Sequence, residues 1–322
     1  MPRISVIVPI FNAERYLEKC LYSIIDQSFS DIEIICVNDK SSDHSAEIVN
    51  SLARNDARLR LFNHETNLGP GGARNTGITH ARSNYLAFVD SDDYVDPNML
   101  EEFLECSDNE KFDVVESGCR AIGEDGELIW EYTPEKKTFN SLEGNRDRMF
   151  LLREWGLPQK LWRKSLFADP HLTFPTHVYW EDISLIPILM QRANNLRKLD
   201  SIFYNYTQRK NSITNTASAK HVVDLFKAFE HIKKFLIDNG IYERERENFK
   251  KIVTNCTGYL ATKMRGVDES GSNDVNRIIE RCSVLAGTYL RHDDRFISFS
   301  EQEVIYAPRP DDTDNAKRLG AG

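Results

Sequence analysis

The sequence predicts an α/β fold: a Rossmann-like, mostly parallel central sheet flanked by helices, with a C-terminal helical extension. Three observations predict it. The first third of the chain alternates apolar runs with segments of helical periodicity, in the order βαβαβαβ. The apolar runs are nearly continuous, as in strands buried on both faces. The unusual polar and glycine residues fall where these strands end, at the rim where open parallel sheets take ligands.

Each element has its own signal. "ISVIVPI" (Ile4–Ile10) is apolar and rich in β-branched residues. From Ala13 to Gln27, Tyr16, Leu17, Cys20, Leu21, Ile24 and Ile25 recur at helical spacing. "IEIICV" (Ile32–Val37) is a second buried strand, and the helix after it has Ser42 or Asp43 as its cap. "LRLFNH" (Leu59–His64) is the third strand; "NLGPGGARNTGITHA" opens on glycines and runs into a helix, and "NYLAFV" is the fourth strand. Beyond Val89 the rhythm changes. "PNMLEEFLEC" is a helix with Pro97 in its first turn, "FDVVESG" a strand, and "GEDGELIWEY" a hairpin around Asp125-Gly126. Helices are expected over Asn145–Trp155 and Glu181–Ala193, then a strand in "KLDSIFYNY". From about Ala217 the pattern is helical only. The expected organisation is a domain over 1–216, a helical region over 217–290 and a tail over 291–322 with the composition of a partly disordered end.

Bulk properties exclude several function classes. The 322 residues carry a formal net charge of −9, which gives no general nucleic-acid footprint. With 40% hydrophobic and 28% charged residues, the chain is expected to be globular. No apolar run approaches the roughly 18–20 residues needed to span a bilayer. The opening "MPRISVIVPIF" lacks a signal peptide's apolar core and cleavage site, so a cytoplasmic location is expected. Six cysteines are scattered without a C-x-x-C pair, with Cys20 and Cys36 on apolar faces, and read as reduced core thiols.

The rim carries the chemistry. "LGPGGARNTG" fails the dinucleotide fingerprint, because Arg74 stands where the last glycine belongs, and no G-K-[ST] is present. Hydride transfer and P-loop ATP hydrolysis are therefore disfavoured. "YLAFVDSDDYVD" instead ends a buried strand in Asp90, Asp92, Asp93 and Asp96. On an extended segment Asp90 and Asp92 would point the same way and share a hard divalent cation with a diphosphate. Their repulsion predicts a site that stays unsettled until a cation arrives. Asp93 is expected to hold the loop, and Asp96 to cap the helix from Pro97. "HVYWEDISLIPILM" places Glu181 and Asp182 at the start of an apolar helix, whose dipole is expected to keep Asp182 ionised. His221 and His231 are expected on the surface of an amphipathic helix.

Five ordered blocks resemble the family 2 inverting glycosyltransferases, which have the GT-A fold. They are Ser5–Phe29, Glu33–Ser45, Asn67–Ile78, Phe88–Val95 and Trp180–Asp182, and "YNYTQRKNSIT" (Tyr204–Thr214) is similar to a segment of bacterial polysaccharide-building members. The resemblance implies a nucleotide-sugar donor, usually a UDP-sugar, and a saccharide acceptor, in related enzymes often lipid-linked. It also implies transfer in capsule, O-antigen or other cell-surface glycan synthesis. Pro9, Phe11, Glu14, Asp39, Arg74, Asp90 and Ser91 would bind the donor: Phe11 stacks on the base, Asp39 accepts its N–H, Arg74 reaches base or diphosphate, and Asp90 holds the ribose side. Glu14 has a second reading, in the first turn of its helix. Asp92 would bind Mg²⁺ or Mn²⁺, and Asp182 would be the catalytic base. His177, Trp180 and Glu181 would line the acceptor side. Lys40 stands where the family commonly has glycine. Peripheral attachment to the inner face of the membrane and a homodimer through the C-terminal helices are further expectations. Two alternatives stay open: a nucleotidyltransferase that makes activated sugars, and a non-catalytic nucleotide-sugar-binding module.

Overall fold

The computed structural model describes residues 1–107, 109–145, 147–151, 156–209, 218–267, 273–291, 299–300 and 304. They fall into two compact units, Met1–Arg209 and Lys210–Gly322. In the first, strands β1 (Ile4–Ile10), β2 (Ile32–Asn38), β3 (Leu59–Asn63) and β4 (Tyr85–Phe88) alternate with helices α1 (Glu14–Ile25), α2 (Ser45–Ala53) and α3 (Gly69–His80). β1 pairs in parallel with both β2 and β4, and β2 with β3. Every residue of β1 and β2 is buried, as their unbroken apolar runs require.

The second half of the sheet is mixed. It contains β5 (Tyr94–Val95), β6 (Val114–Gly123), β7 (Leu128–Tyr132), β8 (Lys137–Phe139), β9 (Lys160–Arg163) and β10 (Leu196–Gln208), with α4 (Met99–Cys106) and α5 (Glu181–Arg192) in the same unit. The strand order is β3-β2-β1-β4-β9-β6-β10-β5, with β7 on β6 and β8 on β10. β9 lies antiparallel to both β4 and β6 and so joins the parallel half to the rest. β6 and β7 form the expected hairpin, with Gly126 at φ 86°. α4 begins at Met99 after the cap residue Asn98, two residues beyond Pro97. Where a helix was expected over Asn145–Trp155, the described residues form only a 3₁₀ turn at Arg148–Phe150, and the remainder lies partly outside them. α2 is capped at His44, and Asp43 Oδ1 accepts the Ser45 N–H at 3.0 Å.

The second unit contains α6 (Ala219–Asp238), α7 (Tyr242–Val267) and α8 (Asn273–Arg291). Phe226 packs against Phe229 and Tyr289, with centroids 5.5 and 5.4 Å apart, and Phe249 meets Tyr289 at 6.2 Å. His221 is buried in this core, not on the surface, and its Nδ1 lies 2.8 Å from Ser218 Oγ. Within the expected tail, only 291, 299, 300 and 304 belong to the described residues. No helix among the described residues is long and apolar enough to cross a membrane.

The two faces of β1 are covered differently. Val6, Val8 and Ile10 join the core built with Leu17, Leu21 and Ile24 of α1. Ile7 points the other way, and a Cβ on Gly77 of α3 would lie 2.4 Å from its Cγ2. Only glycine allows α3 this close to the strand. Gly77→Ala is expected to lower unfolding stability by about 1–3 kcal/mol through overpacking, read as a shifted denaturant midpoint with unchanged slope. An unchanged midpoint would show that α3 has room to move.

Candidate active site at the ends of the parallel strands

The buried Pro9 lies next to the last residue of β1, Ile10, which leads to Phe11, a residue 53% exposed. The loop beyond is laced to the start of α2. Asn12 Oδ1 accepts the Ser42 N–H at 2.8 Å, and Asn12 gives its own N–H to Ser41 Oγ at 3.0 Å. Glu14 Oε2 accepts the His44 N–H and lies beside His44 Nδ1, each at 2.9 Å, while the Glu14 N–H goes to Asp43 Oδ2 at 3.0 Å. The backbone and ring of His44 hold the Glu14 carboxyl below its ordinary value. Glu14 thereby ties the first turn of α1 to the cap of α2.

Asp39 follows β2 and is 2% exposed. Its Oδ1 accepts the Leu68 N–H and faces His64 Nδ1, at 2.8 and 2.7 Å, and its Oδ2 accepts the Gly69 N–H at 2.8 Å. One carboxylate thus closes the glycine loop over the end of β2. His64, in turn, reaches Thr76 Oγ1 of α3 through Nε2 at 2.8 Å. Gly69 has φ 77°, and Lys40 has φ 64°, a left-handed conformation that explains why glycine suits its position. Asn12, His177 and Trp180 share this conformation, so four strained non-glycine residues surround one rim.

The acidic segment after β4 is a tight turn, not extended chain: the Asp93 N–H bonds the Asp90 carbonyl at 3.0 Å. Its carboxylates consequently diverge. Asp90 Oδ1 accepts from Arg74 Nη2 at 2.8 Å, and Asp92 Oδ2 lies 2.5 Å from Arg209 Nη2. Buried Asp93 accepts the Tyr204 hydroxyl at 2.5 Å and the Thr207 N–H at 2.7 Å, which pins the turn to β10. Burial, with Asp92 and Asp90 adding to it, pushes the Asp93 carboxyl well above its ordinary value. Asp96 does not cap α4; both of its oxygens take Arg120 Nη2 at 2.8 Å, and Oδ1 also accepts from Asn205 at 2.9 Å. Ser91 is buried within the turn.

Arg74 joins this turn to α5. It is 5% exposed, bonds Asp90 through Nη2, and bonds Glu181 through Nη1. Burial works against its charge, but Asp90 and Glu181 more than offset that and hold the guanidinium above its ordinary value. Arg74 Nε finds no hydrogen-bond partner. The segment leading to α5 is held to α3 as well: Asn75 exchanges two 2.9 Å bonds with the backbone of Phe174. His177 gives its N–H to Leu68 O at 3.0 Å, so it sits against the glycine loop. Trp180 is the left-handed cap residue of α5.

Asp182 occupies the first turn of α5, half-buried, with Oδ1 accepting the Ile183 N–H at 2.8 Å. The helix N-terminus does not keep it readily ionised. Burial first, and the Glu181 charge second, push its carboxyl up to about 7, while Arg74 pulls the other way. A carboxylate of that basicity suits proton abstraction near neutral pH better than an ordinary aspartate.

The acidic turn also fits a hard cation by its donors. Mg²⁺ and Mn²⁺ are held by one or two carboxylates completed by phosphate oxygens and water. Asp92 already holds a cationic group, the Arg209 guanidinium. Arg209 and His64 contact the expected site residues Asp92 and Asp39 but were not singled out from the sequence. Each directly follows the last residue of a strand, β10 and β3 respectively, which is the signal that could have found them.

Residues 5–163 match "Glycosyl transferase family 2". Among curated relatives, the uncharacterized glycosyltransferase EpsJ of Bacillus subtilis is 34% identical over 222 residues, 66% of this chain but only 63% of EpsJ. The GalNAc(5)-diNAcBac-PP-undecaprenol beta-1,3-glucosyltransferase of Campylobacter jejuni is 29% identical over 262 residues, 80% of this chain and 81% of that protein. Among solved structures, S. aureus TarS 1-349 in complex with UDP-GlcNAc shares the fold, with a TM-score of 0.57 at 24% identity, over 90% of this chain and 89% of that one. The matched residues run through the four parallel strands that build the rim. The glycosyltransferase GlyG of Streptococcus pneumoniae is 31% identical over 238 residues, 69% of this chain and 78% of that protein. The chain belongs to glycosyl transferase family 2, with a GT-A fold.

Proposed function

We propose that this glycosyltransferase moves a sugar, with inversion, from a UDP-sugar to a hydroxyl of a saccharide acceptor in cell-surface glycan synthesis, with Mg²⁺ or Mn²⁺ at the acidic turn. The observation that carries the reading is Asp182. It is a carboxylate in the first turn of α5, beside Glu181, which Arg74 ties to Asp90 in the turn after β4, and burial and the Glu181 charge push it up to about 7. TarS bound to UDP-GlcNAc supports the donor class, and the name of the Campylobacter relative supports a lipid-linked acceptor.

Phe11 offers an exposed ring to the base, and Asp39 fixes the glycine loop beside it. Asp90 faces the ribose side, and Asp92 would hold the cation. When bound, that cation would neutralise charge on the departing diphosphate. Arg74 acts as a positioning residue that keeps Asp90 and Glu181 in one frame. Asp182 takes the proton of the acceptor hydroxyl as its oxygen bonds to the anomeric carbon and the bond to the diphosphate breaks. His177 and Trp180 flank the acceptor side. Catalysis is assigned to residues 1–216, with 217–290 as a helical extension. The reading also includes a cytoplasmic enzyme at the inner membrane face, with the helical extension as a dimer surface.

Asp182→Asn is expected to keep UDP-sugar binding while reducing turnover about 10²–10⁴-fold, measured by calorimetry and by UDP release. Near wild-type turnover would remove Asp182 as base. Turnover at saturating donor is expected to rise with pH through a midpoint of about 7, because the ionised form is the base. Stability should run the opposite way. The folded-state value exceeds the unfolded value near 3.8, so this group's contribution is full below that pH and is lost as pH rises through about 7. Asp92→Ala should abolish the cation-dependent part of UDP binding, and unchanged cation dependence would move the metal elsewhere.

A further inference from the structure

The Asp92–Arg209 ion pair is the contact that the proposed reaction does not use. Arg209 Nη2 lies 2.5 Å from Asp92 Oδ2, and the same guanidinium stands 5.4 Å from the centroid of the Tyr16 ring. Tyr16 is itself anchored, its hydroxyl donating to Glu124 at 2.7 Å beside the β6–β7 hairpin. The backbone on both sides of the pair is fixed. Asp93, adjacent to Asp92, holds the Tyr204 hydroxyl and the Thr207 N–H, just before Arg209 in β10 and its exit. Turn and strand are locked together, and only the long arginine side chain spans to Asp92. Both partners retain some exposure, 33% for the Arg209 side chain and 19% for that of Asp92.

We propose that Arg209 is the resting counter-ion of Asp92, and that a divalent cation loads by exchanging with it. The inference rests on the reading of Asp92 as cation ligand. Arg209 takes Asp92 Oδ2, and a divalent cation on the same carboxylate would stand within a few ångströms of the guanidinium, where in a partly buried site their repulsion is weakly screened. A bare cation therefore competes with Arg209 for Asp92 and weakens that ion pair. A cation arriving with a nucleoside diphosphate brings phosphate oxygens, which suit a guanidinium fork. The exchange then replaces one anion with another for Arg209. Because β10 is pinned through Asp93, the exchange needs side-chain rotation only. Arg209 is a positioning residue in this scheme. Its consequence is coupling: cation and nucleotide bind weakly alone and tightly together, each raising the affinity of the other by the same factor.

The test is an electron paramagnetic resonance titration of Mn²⁺ into the full chain, with and without saturating UDP. Wild type, Arg209→Ala, Arg209→Lys and Asp92→Ala are compared. In wild type, UDP is expected to tighten Mn²⁺ binding about 10-fold or more. Arg209→Ala should bind Mn²⁺ alone about 5-fold more tightly than wild type, with the gain from UDP reduced by a similar factor. Arg209→Lys, which restores a cation, should return toward wild type. A purely structural role for Arg209 would not increase affinity for the bare cation. Equal or weaker Mn²⁺ binding by Arg209→Ala, with UDP coupling intact, overturns the exchange while leaving Asp92 as ligand. Mn²⁺ binding that survives in Asp92→Ala overturns the ligand assignment itself, and the exchange with it.

Discussion

One buried guanidinium holds the site together. Arg74 of α3 bonds a carboxylate from the turn after β4 and another from the first turn of α5, elements far apart in the chain. A buried cation between two carboxylates is tolerable only when all three charges are satisfied together. The arrangement therefore restricts where α5 can begin. Asn75, one residue on, fixes the approach to α5 through Phe174, so a single turn of α3 sets the position of Asp182 relative to the strand ends. Glycines on the same helix permit this placement, since Gly77 lets α3 lie against Ile7 of β1.

The acidic turn resolves its repulsion by division. Asp90 has Arg74, Asp92 has Arg209, Asp96 has Arg120, and Asp93 has Tyr204 with the Thr207 N–H. A cluster that looks unsettled in one dimension is settled in three, by partners from three other places in the chain: α3, β6, and β10 with the residue after it. Two of these carboxylates are structural, and two stay at the rim. The same electrostatics reach Asp182. Loss of water first, and the Glu181 charge second, raise its proton affinity, against the pull of Arg74 and the Ile183 N–H. Asp182 is thus tuned by burial and by charges close to it, against the pull of its own helix N-terminus.

What was legible in the sequence follows from range. β1, β2 and β4 are buried runs, and α1 and α4 show clear apolar faces, so local pattern sufficed. β9 escaped because two of its four residues are Lys160 and Arg163; Lys160 is buried beside Glu116, a pairing that no local pattern announces. His221 escaped for the same reason, its burial being decided by helices later in the chain. The site residues named from motifs do converge on one rim, but their partners were hidden by sequence distance. Nothing near Arg74 in the chain indicates that Glu181 will meet it. The extended reading of Asp90–Asp92 failed because a turn bond to Asp93 overrides strand geometry once β4 ends.

The central role of Arg74 can be tested without any substrate. Unfolding free energies of Arg74→Met, Glu181→Gln and the double variant form a thermodynamic cycle around the 74–181 pair. If the guanidinium is the tie between α3 and α5, the cycle should show a coupling of about 2–3 kcal/mol, at the upper end for contacting residues. Losses that add to within about 0.5 kcal/mol would mean that the two residues are energetically independent, and that α5 is placed by something else.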